Sequence, residues 1–390
     1  MMTTLGSVDS GIKIKKNVRW GIVGLGDVCK VKSGPPFWKC DGSELVAVMR
    51  RTQGAAADFA KTVPGGGCTG YDDFDSFLAH PGGLDAIYVS TRPGTHLEIC
   101  AKVAKAGLAC YVEKPVGRCA AETMEIVRVF AEAELPLYTA YISRAYDRTQ
   151  MARSLLVEGA IGECIKKVTY NLVGTGGARG MDGDLPWRLN PSQSGGGLIM
   201  DVGCHVLDRI DYLAGPIINV KGVASRRNKS ISCVNNGLEV IDVEDFVQIN
   251  AELGEGKWAV LPCKEAAEVS CKWDFSGESP NGEIDELIFE GPSGKIVMAG
   301  MNFSAPLQVF DANGNLVKEL TFTQPKHTGQ QLIQAVNDDL RGIDKKDYLS
   351  NGENALRTSK VLDEALSYYY GGNRDIGYWE KKGRHCGEVS

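Results

Sequence analysis

The sequence predicts a doubly wound α/β domain with a parallel sheet, followed by an α+β domain built on a mostly antiparallel sheet. Three observations predict it. Short β-type runs alternate with helix-length amphipathic segments from Asn17 to about Ala140, as parallel strands with crossover helices require. A glycine turn, Gly24-Leu25-Gly26, directly follows the first of these runs. After Arg144 the rhythm changes, and beyond Ile217 short strands punctuated by Gly, Asn and Pro dominate.

In the first domain the strand candidates are Val18 to Val23, Glu44 to Met49, a short run near Cys68, Ala86 to Val89, Ala109 to Val112 and Leu137 to Ala140. Between them, Ala55 to Thr62, Thr95 to Ala106 and Ala120 to Ala133 have the Ala-rich apolar periodicity of helices packed on a sheet. Beyond Arg144 come a helix from Thr149 to Glu158, a strand from Glu163 to Val173, and a Gly-rich loop from Gly174 to Pro186. A second helix starts after Gly195, Gly196 and Gly197 and runs to about Leu213, where Gly215 and Pro216 stop it. Strands fill Ile217 to Leu320, with turns at Pro292 to Gly294 and Asn313 to Asn315. Helices from His327 to Arg341 and from Gly352 to Tyr370 close the second domain. The expected division is a tail over 1–16, a dinucleotide domain over 17–143, a substrate domain over 144–372 and a polar tail over 373–390.

The 390 residues are 43% hydrophobic and 24% charged, enough to bury more than one core and too apolar for a disordered chain. A net charge of -6 argues against nucleic acid or an anionic membrane surface as partner, because both need a clustered positive field. The one basic run, Lys13 to Lys16, lies in the N-terminal tail. No stretch approaches the roughly 18 apolar residues of a spanning helix. Met1 to Gly11 has neither an apolar nor an Arg-rich targeting pattern, so the expected location is cytoplasmic. The 12 cysteines are scattered singly with no CxxC pair, which predicts reduced thiols and no metal site; Cys263 and Cys271 alternate with apolar residues as strand positions do.

Chemistry collects where strands end. Gly24 and Gly26 let the backbone turn and approach a pyrophosphate, which would rest on the helix N-terminus that Asp27 and Val28 open. Cys29 stands where a third glycine is usual and is small enough for close packing. The second strand ends in Met49-Arg50-Arg51, with no acid to accept from a ribose 2′-hydroxyl and two arginines able to clamp a 2′-phosphate. NADP is favoured over NAD, the alternative being two solvated surface charges. The fourth strand leads into Thr91-Arg92-Pro93-Gly94-Thr95-His96, where Thr95 is also a candidate helix N-cap. The fifth ends in Glu113-Lys114-Pro115; Lys114 either moves protons and polarises a carbonyl or simply pairs with Glu113. Asp201 and His205 stand four residues apart on the helix after the triple glycine, so the carboxylate can orient the imidazole. Asp208 continues that stripe as a solvated helix residue.

Together, Gly24-Leu25-Gly26, Thr91 with His96, Glu113-Lys114-Pro115, Pro186-Trp187-Arg188 and the triple glycine before Asp201-x-x-x-His205 resemble the glucose-fructose oxidoreductase and inositol dehydrogenase family (Gfo/Idh/MocA) from Asn17 to about Gly371. The resemblance implies a Rossmann domain followed by a domain with a large open sheet, the latter a face for homodimers or homotetramers. It implies that Lys114 contacts substrate and nicotinamide ribose, that His205 is the acid/base with Asp201 its partner near the substrate hydroxyls, and that Trp187 and Arg188 reach the cofactor. Tyr141 and Arg144 fall where the family's crossover segment passes the substrate. It implies NADP-dependent hydride transfer at a secondary alcohol or ketone of a small polyhydroxylated substrate: a sugar, cyclitol, anhydro-sugar or dihydrodiol. Two alternatives share the fold, an NADP-binding regulatory sensor without turnover and a glycosidase or lyase that retains its cofactor. Arg92 departs from the family, where a proline is common; it either recognises an anionic group or faces solvent. Arg179, Asp182 and Asp184 of the Gly-rich loop read as solvated.

Overall fold

In the computed structural model of the chain, residues 16–26, 28–174, 185–228, 230–233, 237–255, 266–277 and 283–382 are described. Asp27, Arg179, Asp182, Asp184 and Cys263 lie outside them, as does most of the basic run at Lys13 to Lys16.

The first of two compact units comprises the stretch ending at Val116, Thr123–Ala145 and Pro325–Ala355. Its strands are β1 (Val18–Val23), β2 (Ser43–Met49), β3 (Thr69–Tyr71), β4 (Ala86–Val89), β5 (Ala109–Val112) and β6 (Leu137–Thr139), all paired in parallel in the order β3-β2-β1-β4-β5-β6. β4 and β5 are buried at every position, as strands covered on both faces must be. Their runs of Val, Ile, Tyr and Cys supply apolar surface to both sides. The order reverses between β1 and β4, so the ligand crevice of such a sheet opens at the carboxyl ends of those strands.

Helices His96–Lys105 and Ala120–Glu132 occupy the expected segments. The short helices Pro36–Lys39 and Phe74–Leu78 have too few turns to register as periodicity. The helix expected from His327 to Arg341 forms over Gln330–Leu340, but it belongs to this unit and not to the second domain. Its Leu332, Ile333, Val336 and Leu340 form an apolar stripe in the core around Trp20, Phe37 and Tyr88, and Trp20 Nε1 donates to Asn337 Oδ1 at 2.8 Å. Periodicity predicts the helix; it carries no information about which sheet the stripe covers.

The second unit comprises Gly117–Glu122, Tyr146–Gln324 and the stretch from Leu356. It is built on β7 (Lys167–Val173), β8 (Ile217–Ser225), β11 (Phe246–Leu253), β12 (Ala267–Asp274), β13 (Ile284–Gly291), β14 (Gly294–Met298), β15 (Leu307–Asp311) and β16 (Leu316–Leu320), with β9 (Ser230–Cys233) and β10 (Gly237–Val240) as a separate two-stranded ribbon. The eight-stranded sheet runs β16-β15-β14-β13-β7-β12-β11-β8, and only β7 with β12 pairs in parallel. Burial alternates along β7, β11 and β14, so one face of the sheet is covered and the other is not. The expected turns sit between β13 and β14 and between β15 and β16. The segment expected as a polar tail from residue 373 is folded through its first part: Arg374 and Trp379 are buried, and Tyr378–Lys382 is helical.

Candidate active site

The candidate cofactor and substrate residues of the first unit share one edge of its sheet, because each follows a parallel strand: the glycine turn β1, Arg50 and Arg51 β2, Thr91 β4, Glu113 and Lys114 β5, and the substrate candidate Tyr141 β6. The glycine turn is tied in by Gly24 N–H donating to Met49 O at 3.0 Å. Gly24 has φ 94°, and a Cβ there would stand 2.6 Å from Ser90 O. A Cβ on Gly26 would meet nothing within 4 Å, so the protein's own packing does not require that glycine. Space beside a backbone that opens a helix is the fit a pyrophosphate needs. Val28 is exposed and precedes a π-helical turn, Cys29–Ser33. Cys29 is fully buried, and burial pushes its thiol up to about 12, so it acts as packing and not as a nucleophile.

Arg50 Nη1 donates to Leu25 O at 2.6 Å, which fixes the guanidinium on the glycine turn, while Arg51 is exposed. No carboxylate ends β2, since Met49 is its last residue. Thr95 does not cap its helix; its Oγ1 lies 2.9 Å from both Thr91 Oγ1 and Arg92 O, tightening the loop after β4. His96 is fully buried, its ring bridging Val116 O at 3.0 Å and Thr91 O at 3.1 Å, and burial lowers its pKa. It therefore ties the loops after β4 and β5 together and presents both nitrogens to protein carbonyls, unlike the cofactor contact expected of it. Arg92 is exposed.

Glu113 and Lys114 are half-buried, and the bond from Lys114 to Pro115 is cis. Glu113 Oε1 accepts from the Tyr88 hydroxyl at 2.5 Å and Glu113 Oε2 from the Lys114 N–H at 3.2 Å. Tyr88 is fully buried on β4 and lies 2.9 Å from Ser33 Oγ; burial and the Glu113 charge push its pKa far up, so the phenol keeps its proton. The end of β5 is thus pinned from inside the sheet. Tyr141 and Arg144 are both buried, with Arg144 in the 3-10 turn Ile142–Ala145.

The remaining candidates lie in the second unit. Asp201 sits in a π-helical turn, Ile199–Gly203, that runs straight into the helix Cys204–Leu213 bearing His205. The sequence pattern predicts one regular helix here. The wider turn changes how Asp201 and His205 face each other, and such insertions recur at functional sites. Asp201 Oδ2 accepts from Arg188 Nε at 2.6 Å, and that guanidinium also lies 4.5 Å over the Trp187 ring. Arg188, expected at the cofactor, is engaged with the acid. His205 is 8% exposed, and Asp208 is fully buried where a solvated residue was expected.

The triple glycine is demanded by protein contacts. Gly195 has φ 88° and a Cβ there would stand 2.4 Å from Arg118 O; a Cβ on Gly197 would stand 2.1 Å from Glu244 O. Residues that sequence reasoning missed hold this loop. Arg118 Nη1 donates to Ser192 O at 2.9 Å, Arg374 Nη1 to Gly195 O at 2.5 Å, and Gly197 N–H to Glu244 Oε1 at 2.8 Å. No local motif marks Arg118, Glu244 or Arg374; each is named by a partner distant in sequence. Among the described residues, no group of three or more His, Cys, Asp or Glu is placed to hold a metal ion, and no helix is long and apolar enough to cross a membrane.

Comparison with known proteins agrees with this layout. Residues 18–141 match a family profile described as an oxidoreductase family with an NAD-binding Rossmann fold, and residues 149–279 match the GFO/IDH/MocA C-terminal domain. Oxidoreductase P35 of Formosa agariphila is 26% identical over 328 residues, 82% of this chain and 90% of its own length. The dTDP-3,4-didehydro-2,6-dideoxy-alpha-D-glucose 3-reductase of Streptomyces violaceoruber is 25% identical over 71% of this chain and 78% of its own. Among solved structures, a levoglucosan dehydrogenase in complex with NADH and levoglucosan superposes with a TM-score of 0.72 at 19% identity, covering 90% of this chain and 98% of that one.

Proposed function

The chain belongs to the Gfo/Idh/MocA family of NAD(P)-binding oxidoreductases that act on CH–OH groups, and from that membership we propose that it is an NADP-dependent dehydrogenase or reductase of a small polyhydroxylated substrate. The substrate class is a sugar, cyclitol, anhydro-sugar or dihydrodiol, with a secondary alcohol or its ketone at the reacting carbon. The observation that carries the proposal is the gathering of the glycine turn, Arg50 and Lys114 at the carboxyl ends of β1, β2 and β5, on one edge of a single parallel sheet. The relatives' names point the same way, since the Streptomyces protein is a reductase of a nucleotide-linked keto sugar and the superposed dehydrogenase carries levoglucosan.

When bound, the nicotinamide supplies or accepts the hydride. Gly24, Gly26 and the exposed turn at Val28 hold the pyrophosphate, Arg50 and Arg51 the 2′-phosphate, with Thr91 nearby, and Lys114 the nicotinamide ribose. Support for NADP is the absence of a carboxylate at the end of β2 and the fixed Arg50 guanidinium beside the glycine turn. In oxidation His205 takes the hydroxyl proton and Lys114 stabilises negative charge growing on that oxygen; in reduction the same groups donate. Asp201, its charge balanced by Arg188, holds substrate hydroxyls, and Tyr141 and Arg144 line the substrate side. We further propose a cytoplasmic homodimer or homotetramer using the uncovered face of the eight-stranded sheet, whose edge strand β8 exposes Ile218 and Val223.

Lys114→Ala tests the assignment. Turnover falls by about a hundredfold or more, far more than NADPH affinity does; turnover equal to wild type would remove Lys114 from the chemistry.

A further inference from the structure

We infer that Arg118, Glu244 and Arg374 are positioning residues for the proton-transfer helix, each holding one backbone group of the loop that leads into Asp201 and His205. This rests on the roles proposed above for those two residues and extends them to side chains that act through the loop.

The three anchors fall on consecutive parts of one short stretch: Arg118 on the carbonyl of Ser192, Arg374 on that of Gly195, Glu244 on the N–H of Gly197. All three side chains are buried, at 7%, 3% and 1% exposure. Burying such groups is costly unless they are paired or hydrogen-bonded; Arg118 and Arg374 are ion-paired, and Glu244, its pKa raised by burial, accepts two hydrogen bonds. Arg118 Nε donates to Glu122 Oε1 at 2.9 Å. Arg374 pairs with Asp363 and lies over the Tyr370 and Trp379 rings. Glu244 Oε2 accepts from the Tyr370 hydroxyl at 2.5 Å. Two of the anchors thus share Tyr370 as a common support.

An apolar contact would hold this buried loop at lower cost. What hydrogen-bonding anchors add is register, because each fixes one named backbone atom. Register matters here because the helix begins two residues after Gly197 with the π-helical turn that carries Asp201. A slip of one residue at a helix start turns every following side chain by about 100° around the axis. The glycines fit this purpose: side chains at Gly195 and Gly197 would collide with the backbones of Arg118 and Glu244, so the loop can lie against its anchors only without them. Arg374 and Trp379 come from the segment after Gly372, which makes that segment part of the device.

The test measures kcat, KM and NADPH binding by nucleotide fluorescence for Glu244→Leu, Glu244→Gln, Arg374→Met and Tyr370→Phe, with turnover expressed per NADPH-binding site and His205→Ala as reference. Glu244→Leu and Arg374→Met are expected to lose about a hundredfold in kcat with NADPH affinity unchanged, as a displacement near 1 Å does. Glu244→Gln, which keeps an oxygen for the Gly197 N–H, restores most of the loss. Wild-type kcat in folded Glu244→Leu and Arg374→Met beside an inactive His205→Ala overturns the inference and leaves the catalytic assignment standing. A Glu244→Gln as slow as Glu244→Leu overturns it as well, since the acceptor is then irrelevant. Should Glu244→Leu or Arg374→Met fail to fold, Tyr370→Phe decides: reduced kcat supports the anchors and wild-type kcat overturns them. An active His205→Ala overturns both the inference and the reading beneath it.

Discussion

Gly24 and Gly26 stand two residues apart in one turn, yet substituting each with Ala is expected to do opposite things. At Gly24 an added Cβ meets Ser90 O at 2.6 Å and Thr91 Cγ2 at 2.8 Å, with φ at 94°. The left-handed backbone costs about 1–2 kcal/mol and the overpacking about 1–3 kcal/mol, so Gly24→Ala destabilises the nucleotide-free protein by about 2–5 kcal/mol. At Gly26 the Cβ meets nothing within 4 Å, so Gly26→Ala leaves nucleotide-free stability within about 0.5 kcal/mol of wild type. Its effect falls on the nucleotide. A methyl group where a phosphate must approach the backbone removes at least one charge-assisted hydrogen bond of about 1.5–3 kcal/mol, or roughly ten- to hundredfold in affinity. Denaturant unfolding without nucleotide, beside a fluorescence titration with NADPH, separates the two. If Gly26→Ala binds NADPH as wild type does, the turn is not the pyrophosphate cradle; if it unfolds as easily as Gly24→Ala, the space at Gly26 is misjudged.

Three further outcomes are expected. Arg50→Asp weakens NADPH binding by about a hundredfold and leaves NADH binding nearly unchanged in paired titrations, and equal loss for both would refute the 2′-phosphate assignment. Arg188→Leu and Asp201→Asn are coupled because they break the same 2.6 Å ion pair, so their double-mutant cycle on kcat/KM is non-additive by about 0.5 kcal/mol or more; additive effects would show that the pair does not act as a unit. His96 is fully buried with its pKa below the usual 6.5, so below pH about 6.5 the unfolded chain takes up a proton that the native ring refuses. Stability then falls as pH falls, by at most about 1.4 kcal/mol per pH unit for this group. Burial lowers His80 and His327 in the same direction, so in unfolding curves between pH 7 and 5 His96→Gln reduces the slope without abolishing it; an unchanged slope would contradict the assignment.

The parallel sheet was legible because its strands are buried on both faces and read as short apolar runs, and because the glycine turn marks the first crossover. β1, β4 and β5 carry the expected bounds. Legibility failed where a stripe of apolar residues has several possible hosts. Leu332 and Val336 announce a helix, but only the fold shows that it covers Trp20 and not the second sheet. The π-helical turn at Asp201 was equally hidden, since Ile199–Gly203 has the same apolar spacing as an ordinary helix start. At the site, strand-end residues such as Arg50 and Lys114 could be singled out because topology brings strand ends together. Tyr88, Glu244 and Arg374 could not, because a buried tyrosine, acid or arginine declares its role only through a partner far along the chain.

The most direct test of the central claim is nicotinamide absorbance under steady state, with wild-type protein and NADP or NADPH against sugars, cyclitols, anhydro-sugars, diols and their keto forms. One class is expected to be turned over with one nicotinamide oxidised or reduced per substrate converted. Tight NADPH binding with no net change in nicotinamide across the panel would contradict it and favour a sensor or an enzyme that keeps its cofactor through the cycle.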